Sequence, residues 1–190
     1  FLPHSAASLK ASRAKRVGLV SRLVFDIETN GLLPELTTIH CIAIKDIAQC
    51  DRRVNSMKTF RPHQIEEAID ILANADEIIG HNVIGFDIPA IQKIYPDWKP
   101  KGKVTDTLVL SRLIKADLMT EDSVRAKQPE GFLKRFYGSH SLAAWGMRLG
   151  NNKGDYDGGW GAFNEDMLLY MEQDVNVTYD LLKLLNRDTD

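Results

Sequence analysis

Phe25-Asp26-Ile27-Glu28-Thr29-Asn30-Gly31-Leu32 closes an apolar run that begins at Leu23. Residues 23–27 read as a buried strand, and residues 29–33 as a turn closed by Pro34. Side chains alternate along a strand, so Asp26 and Glu28, at i and i+2, share one face. Two like charges side by side are unfavourable unless a cation sits between them or one carboxyl is protonated. Hard divalent cations prefer such oxygen ligands. The competing reading is a solvated strand end on which Asp-x-Glu carries no chemistry.

Working outward, residues 38–45 form a second strand, with Ile39, Cys41 and Ala43 expected on one face and His40, Ile42 and Ile44 on the other. Residues 56–60 form a third. Residues 64–73 place Ile65, Ala68, Ile69 and Leu72 at helical spacing. Short strands at 77–80 and up to Val104 alternate with helices at 87–95 and 106–115, the latter with Thr105 as its expected cap. Residues 116–138 read as irregular with partial helix, and 141–149 as a helix stopped by Gly150. A glycine-rich loop over 150–161, expected to be mobile, leads to Asn164, the cap of a final helix running to about residue 185. Three early strands followed by alternating helices and short strands predict an α/β fold, a mixed sheet with helices on its faces.

The 190 residues, 44% hydrophobic and 26% charged, suit one globular domain. No stretch approaches the ~18 uninterrupted apolar residues of a membrane span, so no membrane is expected as a partner. Two cysteines, Cys41 and Cys50, make neither a disulfide framework nor a four-cysteine zinc site, which favours a reducing, cytoplasmic setting. Residues 1–22 carry Lys10, Arg13, Lys15, Arg16 and Arg22 and no acid, leaving 19 basic against 26 acidic residues in 23–190. This division predicts a basic leader or linker over 1–22 and one domain over 23–190. The leader also admits an organelle-targeting or DNA-touching role. An acidic body is a poor generic nucleic-acid binder, because phosphate affinity comes mainly from Lys and Arg. A nucleic-acid role therefore calls for bound cations or local basic patches.

Two further carboxylates stand out. In His81-Asn82-Val83-Ile84-Gly85-Phe86-Asp87-Ile88-Pro89 a short strand leads through a loop to Asp87 at a helix start. Ligands bind at such turns in α/β sheets, although Asp87 is equally suited to a plain interaction with the helix N-terminus. In Tyr170-Met171-Glu172-Gln173-Asp174 the i, i+4 spacing puts the Tyr170 hydroxyl and the Asp174 carboxylate on one helix face.

Taken together and in this order, Asp-x-Glu, a mid-chain Asp and a late Tyr-x-x-x-Asp resemble the DEDD-type 3′–5′ exonucleases in their tyrosine variant. FDIETNGL, HNVIGFDIPAI, DTLVLSRLI, GSHSLAAWGMRLG and FNEDMLLYMEQDVNVTYDLL resemble the proofreading exonuclease domain of phage family A replicative DNA polymerases, from about residue 23 to 185. The resemblance implies a ribonuclease-H-like mixed sheet with helices on both faces. It implies two divalent cations, Mg²⁺ or Mn²⁺, and release of nucleoside 5′-monophosphates from the 3′ end of single-stranded or frayed DNA. It further implies that Asp26 bridges both ions, that Glu28 and Asp174 complete the site of the attacking water, that Asp87 holds the second ion and that Tyr170 orients that water. Thr29, Asn30 and Leu32 match positions that touch the terminal nucleotide, and Asn82 and Phe86 match substrate contacts beside Asp87. Two ions bring +4, which would reconcile an acidic body with a polyanionic substrate.

Other residues take structural readings. Asp106 is expected to start a helix, His81 to hydrogen-bond the loop backbone, and His40 and His140 to pack in sheet or loop. Trp145 is a core residue and Trp160 a loop anchor. Lys99, Lys101, Lys103, Arg125, Lys127, Lys134 and Arg135 are solvated before they are phosphate contacts. The family's polymerases carry palm, fingers and thumb after this domain, and the 190 residues hold none. The expectation is then an excised domain or a free-standing exonuclease that works with a separate DNA polymerase chain. RNA trimming and a non-catalytic DNA-binding or polymerase-docking module are the alternatives.

Overall fold

The computed structural model describes residues 20–50, 56–125, 134–151 and 156–189. Most of the basic leader, Lys127 and residues 152–155 of the glycine-rich loop lie outside the described residues, as does the side chain of Cys50. Five strands form one mixed sheet in the order β3-β2-β1-β4-β5. These are β1 (Arg22–Thr29), β2 (Ile39–Asp46), β3 (Met57–Phe60), β4 (Glu77–Gly80) and β5 (Lys103–Asp106). The first three pair antiparallel, while β4 runs parallel to both β1 and β5. The helices are α1 (Ile47–Cys50), α2 (Ile65–Ala73), α3 (Asp87–Ile94), α4 (Thr107–Ile114), α5 (Leu118–Arg125), α6 (Leu142–Leu149) and α7 (Glu165–Arg187). The short α1 had no periodic signal in the sequence.

Alternation along β1 divides the molecule. Leu23, Phe25 and Ile27 point into a core with Ile65, Ala68, Ile69 and Leu72 of α2 and Ala90 and Ile91 of α3. Val24 points the other way, into a core with Met167, Met171, Val175 and Leu182 of α7. On its far side α7 buries Val177, Leu181 and Leu185 against Leu118 of α5 and Trp145 of α6. Helices therefore cover both faces of the sheet, as expected for a ribonuclease-H-like fold, and α7 is packed on two sides. Each such fully buried Leu, Ile or Phe stabilises the fold by about 1.5–3 kcal/mol.

Caps mark the helix ends. The Asn164 carboxamide accepts from the Met167 amide at 3.1 Å to open α7. Ser141 caps α6 through the Ala144 amide, and Gly150, at φ 68°, closes that helix in the left-handed conformation that glycine adopts at little cost. The cap of α4 is Asp106 rather than Thr105. The Asp106 carboxylate accepts from the Leu108 amide at 2.9 Å, while the Thr105 hydroxyl donates to buried Glu77. A carboxylate one residue closer to the helix reaches its free amides better than a hydroxyl that already has a partner.

The expected faces of β2 also need correction. Glu28 pairs with Cys41 but Thr29 pairs with Ile39, so His40 is an extra residue in β2, a β-bulge. The bulge resets the alternation. Ile39 joins Ile42 and Ile44 in the core under α2, and His40 turns to the α7 side with Cys41 and Ala43. Strict period-2 counting cannot see an inserted residue.

Candidate active site

Asp26 and Glu28 follow Val24 on the face of β1 covered by α7. Val24 packs with Met171 and Val175, which bracket Asp174 on the helix. The packing that seats α7 thus carries the Asp174 carboxyl to the strand. One carboxylate oxygen each of Asp26, Glu28 and Asp174 lie within 4.8 Å of one another. Glu28 is 8% and Asp174 4% exposed, so water screens their mutual repulsion poorly.

Asp87, in the first turn of α3, is 3% exposed. Burial pushes its carboxyl up to about 7, and the charges of Asp106 and Asp174 add to the rise. Hydrogen bonds from the amides of Asp87 itself and of Ile27 oppose it. The second of these ties Asp87 to β1 between Asp26 and Glu28. The same negative field reaches Cys41, whose thiol is pushed to about 12 by burial first and then by Glu28, Asp26 and Glu165. Cys41 is a buried, inert thiol. The donors Asp26, Glu28, Asp174 and Asp87 are all oxygens, a set that suits hard divalent cations and disfavours soft ones.

Tyr170, one turn before Asp174, belongs to an aromatic group. Its ring lies 5.6 Å from Tyr156 and 6.0 Å from Trp160, the latter edge-on. Beside Glu28 a cavity of about 340 Å³ is lined by Thr29, Gly31, Leu32, Phe86 and Trp160. Thr29, Leu32 and Phe86 of the sequence-derived contacts therefore meet there, with Leu32 71% exposed. Asn30 does not line it. Its carboxamide closes the turn, accepting from the Thr37 and Thr38 amides at 2.9 and 3.1 Å and donating to the Thr37 hydroxyl. Asn82 lies apart as well, in a second hollow with His81, Arg112 and His140.

Asn82 stands at φ 66°, a left-handed conformation that asparagine tolerates better than most residues. The Asp106 carboxylate holds it there, accepting from the amides of Asn82 and Ile84 at 3.0 and 3.1 Å while also capping α4. Asp106 thus fastens the loop that carries Asp87, the structural role its position suggested. Gly85 gives the Asn82 side chain room, since a Cβ there would lie 2.5 Å from Oδ1. The His81 Nδ1 meets the Thr107 hydroxyl, and His140 meets Ser111. Trp145 is buried as expected, but Trp160 is 40% exposed and faces the cavity. That tryptophan is held by His40, expected from sequence only to pack, and by Tyr156, which sequence reasoning passed over. The aromatic spacing Tyr156…Trp160…Tyr170 was the available signal.

The chain is similar to known proteins in sequence and in fold. The chain is 36% identical over 193 residues to the DNA-directed DNA polymerase of Escherichia phage T7, covering 87% of this chain and 27% of that one. It thus spans about a quarter of that relative's length. Among solved structures, Brucella melitensis NrnC with bound Mg²⁺ matches with a TM-score of 0.57 at 18% identity, over 89% of this chain and 73% of that one. E. coli Exonuclease I in complex with a dT13 oligonucleotide matches with a TM-score of 0.54 at 14% identity, over 88% and 41%. Both show a shared fold. The RNase H superfamily profile RNase_H_2 matches residues 23–186, nearly all of the described residues, and the chain belongs to the RNase H superfamily.

Proposed function

We propose that this domain is a metal-dependent 3′–5′ exonuclease that hydrolyses the terminal phosphodiester of single-stranded or frayed DNA to nucleoside 5′-monophosphates. The observation that carries the reading is the convergence of Asp26, Glu28 and Asp174 within 4.8 Å, beside a cavity of about 340 Å³. Asp26, Glu28, Asp174 and Asp87 would hold two divalent cations, Mg²⁺ or Mn²⁺. Bound cations of this kind activate the attacking water and stabilise the leaving 3′ oxygen. The Mg²⁺ in NrnC supports the choice of metal.

The remaining steps belong to the protein's own groups. Thr29, Leu32 and Phe86 hold the terminal nucleotide beside Glu28, and sequence-blind apolar contact suits an enzyme that must accept any base. Tyr170 orients the attacking water through its hydroxyl, as a positioning group rather than the main base. Asn30 and Asn82 act as loop braces in this reading, keeping the β1–β2 turn and the Asp87 loop in place. The single-stranded dT13 bound by Exonuclease I supports a DNA 3′ end as substrate. A DNA polymerase, in the same chain or a separate one, is the partner this reading calls for, because the 36% identical relative is a DNA polymerase. Residues 23–190 are the catalytic domain in this reading, and residues 1–22 a basic leader or linker. Among the described residues no helix is long and apolar enough to cross a membrane, and a cytoplasmic setting is part of the same proposal.

A gel time course of 5′-labelled single-stranded DNA with Mg²⁺ tests the proposal, alongside a chelated control and Asp26→Ala. The expected result is a ladder shortening from the 3′ end, absent in both controls. Intact DNA with folded wild-type protein would overturn it, and cleavage confined to an RNA lane would redirect it.

A further inference from the structure

Among the described residues, Trp160 is the one large aromatic side chain of the candidate site that is both open to solvent and held from behind. Its indole is 40% exposed and lines the cavity with Leu32 and Phe86. The cavity volume lies at the small end of ligand pockets, enough for one nucleotide rather than several. Behind the indole, the Tyr156 ring lies 4.7 Å away at 56° and Tyr170 meets it edge-on at 6.0 Å. Tyr156 is itself tied down, donating to the Gly159 carbonyl at 2.9 Å and accepting from Asn164, the cap of α7.

The backbone of Trp160 is fixed from the sheet. The His40 Nε2–H donates to the Trp160 carbonyl at 3.0 Å, from an imidazole that is 5% exposed. His40 reaches it only because it is the extra residue of the β2 bulge. With an unbroken register its side chain would point to the α2 face. An exposed apolar ring held this firmly is prearranged for a flat apolar partner.

We propose that Trp160 is the stacking wall for the terminal base of the substrate strand, and that His40 is the positioning residue that sets it. The inference rests on the exonuclease reading and adds to it the residue that recognises the base. Every base presents a π face, so this contact is strong without being sequence-selective. Leu32 and Phe86 line the same cavity.

The test pairs a side-chain change with a substrate change. Single strands ending in thymidine are compared with strands ending in a tetrahydrofuran abasic residue. Trp160→Ala is expected to raise KM on the thymidine end on the order of tenfold and to leave KM on the abasic end unchanged. Trp160→Phe should keep most of the wild-type KM. His40→Ala should shift KM in the same direction by less, and His40→Gln, which can still donate a hydrogen bond, should restore it. Equal effects of Trp160→Ala on both ends, or none on either, would overturn the proposal.

A binding measurement separates this inference from the exonuclease reading. Trp98 and Trp145 are buried, so a base stacking on Trp160 should quench the exposed component of tryptophan emission. Thymidine 5′-monophosphate titrated with Mg²⁺ should quench wild type and not Trp160→Phe. Quenching by a wild type that fails to cut DNA would leave Trp160 in place and remove the exonuclease reading. Cleavage without quenching would do the reverse.

Discussion

Two buried aspartates on opposite sides of α7 are treated in opposite ways. Asp122 of α5 lies against Arg148 of α6, whose guanidinium donates from Nε at 2.9 Å and from a terminal nitrogen at 2.7 Å. Burial raises the Asp122 carboxyl, but the Arg148 hydrogen bonds, the Gly138 amide and the charges of Arg148 and Arg125 outweigh it and hold it below the usual range. Asp87, just as buried, is pushed up to about 7, with neighbouring Asp106 and Asp174 adding to its burial. The first carboxylate carries its countercharge within the fold. The second is raised by burial and by the charges of two neighbouring aspartates, which outweigh the hydrogen bonds it accepts from the backbone. That difference separates a carboxylate that holds helices together from one that, in the proposed reading, awaits a cation.

The strongest way to break the comparison is to remove a site carboxylate. Asp26→Ala or Asp174→Ala should lower the cleavage rate by about 10³-fold or more with little loss of thermal stability. Kinetics and melting curves on the same samples check both halves. An inactive variant that is also unfolded would place Asp26 with Asp122 as a structural residue.

Arg148→Leu should do the converse. It leaves Asp122 buried without its partner and should cost about 3–5 kcal/mol of stability, read from urea unfolding. Replacing both residues by apolar side chains should recover much of that loss. The pair also has a pH signature. Because the folded carboxyl is depressed, its stabilisation is present above the unfolded aspartate range, near 3.8, and is lost as pH falls through the lower folded value. Acid melts of wild type and Asp122→Asn should converge only there.

The sign is opposite at Asp87. With its folded carboxyl at about 7, the native state binds the extra proton, so stability of the metal-free protein falls as pH rises from about 4 to about 7. Asp87→Asn in chelator should therefore melt several degrees higher than wild type at pH 7.5 and level with it at pH 4. The same variant should lose cleavage with Mg²⁺. Equal melting temperatures across that range would mean that the cluster carries no stored repulsion.

The smallest expected effect lies at the entrance of α7. Asn164→Ala removes the cap on the Met167 amide and the contact to Tyr156, and should cost about 1 kcal/mol in thermal unfolding. Because Tyr156 supports Trp160, a modest rise in KM should accompany it.

The local elements were legible because each is encoded within one segment. Alternation put Asp26 and Glu28 on one face of β1, helical spacing marked Ile65, Ala68, Ile69 and Leu72 as the buried stripe of α2, and Asn164 and Gly150 marked helix ends. The motif order, read as a resemblance, also pointed to Asp87, Tyr170 and Asp174 before any of them had a place in space. Thr105 was misread because a cap depends on which side chain is already engaged elsewhere, here by Glu77 of a neighbouring strand.

Tertiary structure decided what meets what. Asp174 reaches Asp26 and Glu28 because Met171 and Val175 dock on Val24, an interaction across about 150 residues that no local window contains. Asn30 and Asn82 brace loops because their partners, Thr37, Thr38 and Asp106, are brought to them by the folded chain. The bulge at His40 is a property of pairing between two strands and not of either strand alone, and it brings His40 to the Trp160 carbonyl. Periodicity is a property of one segment and is written in its residues; convergence depends on packing between segments, and only the folded molecule contains it.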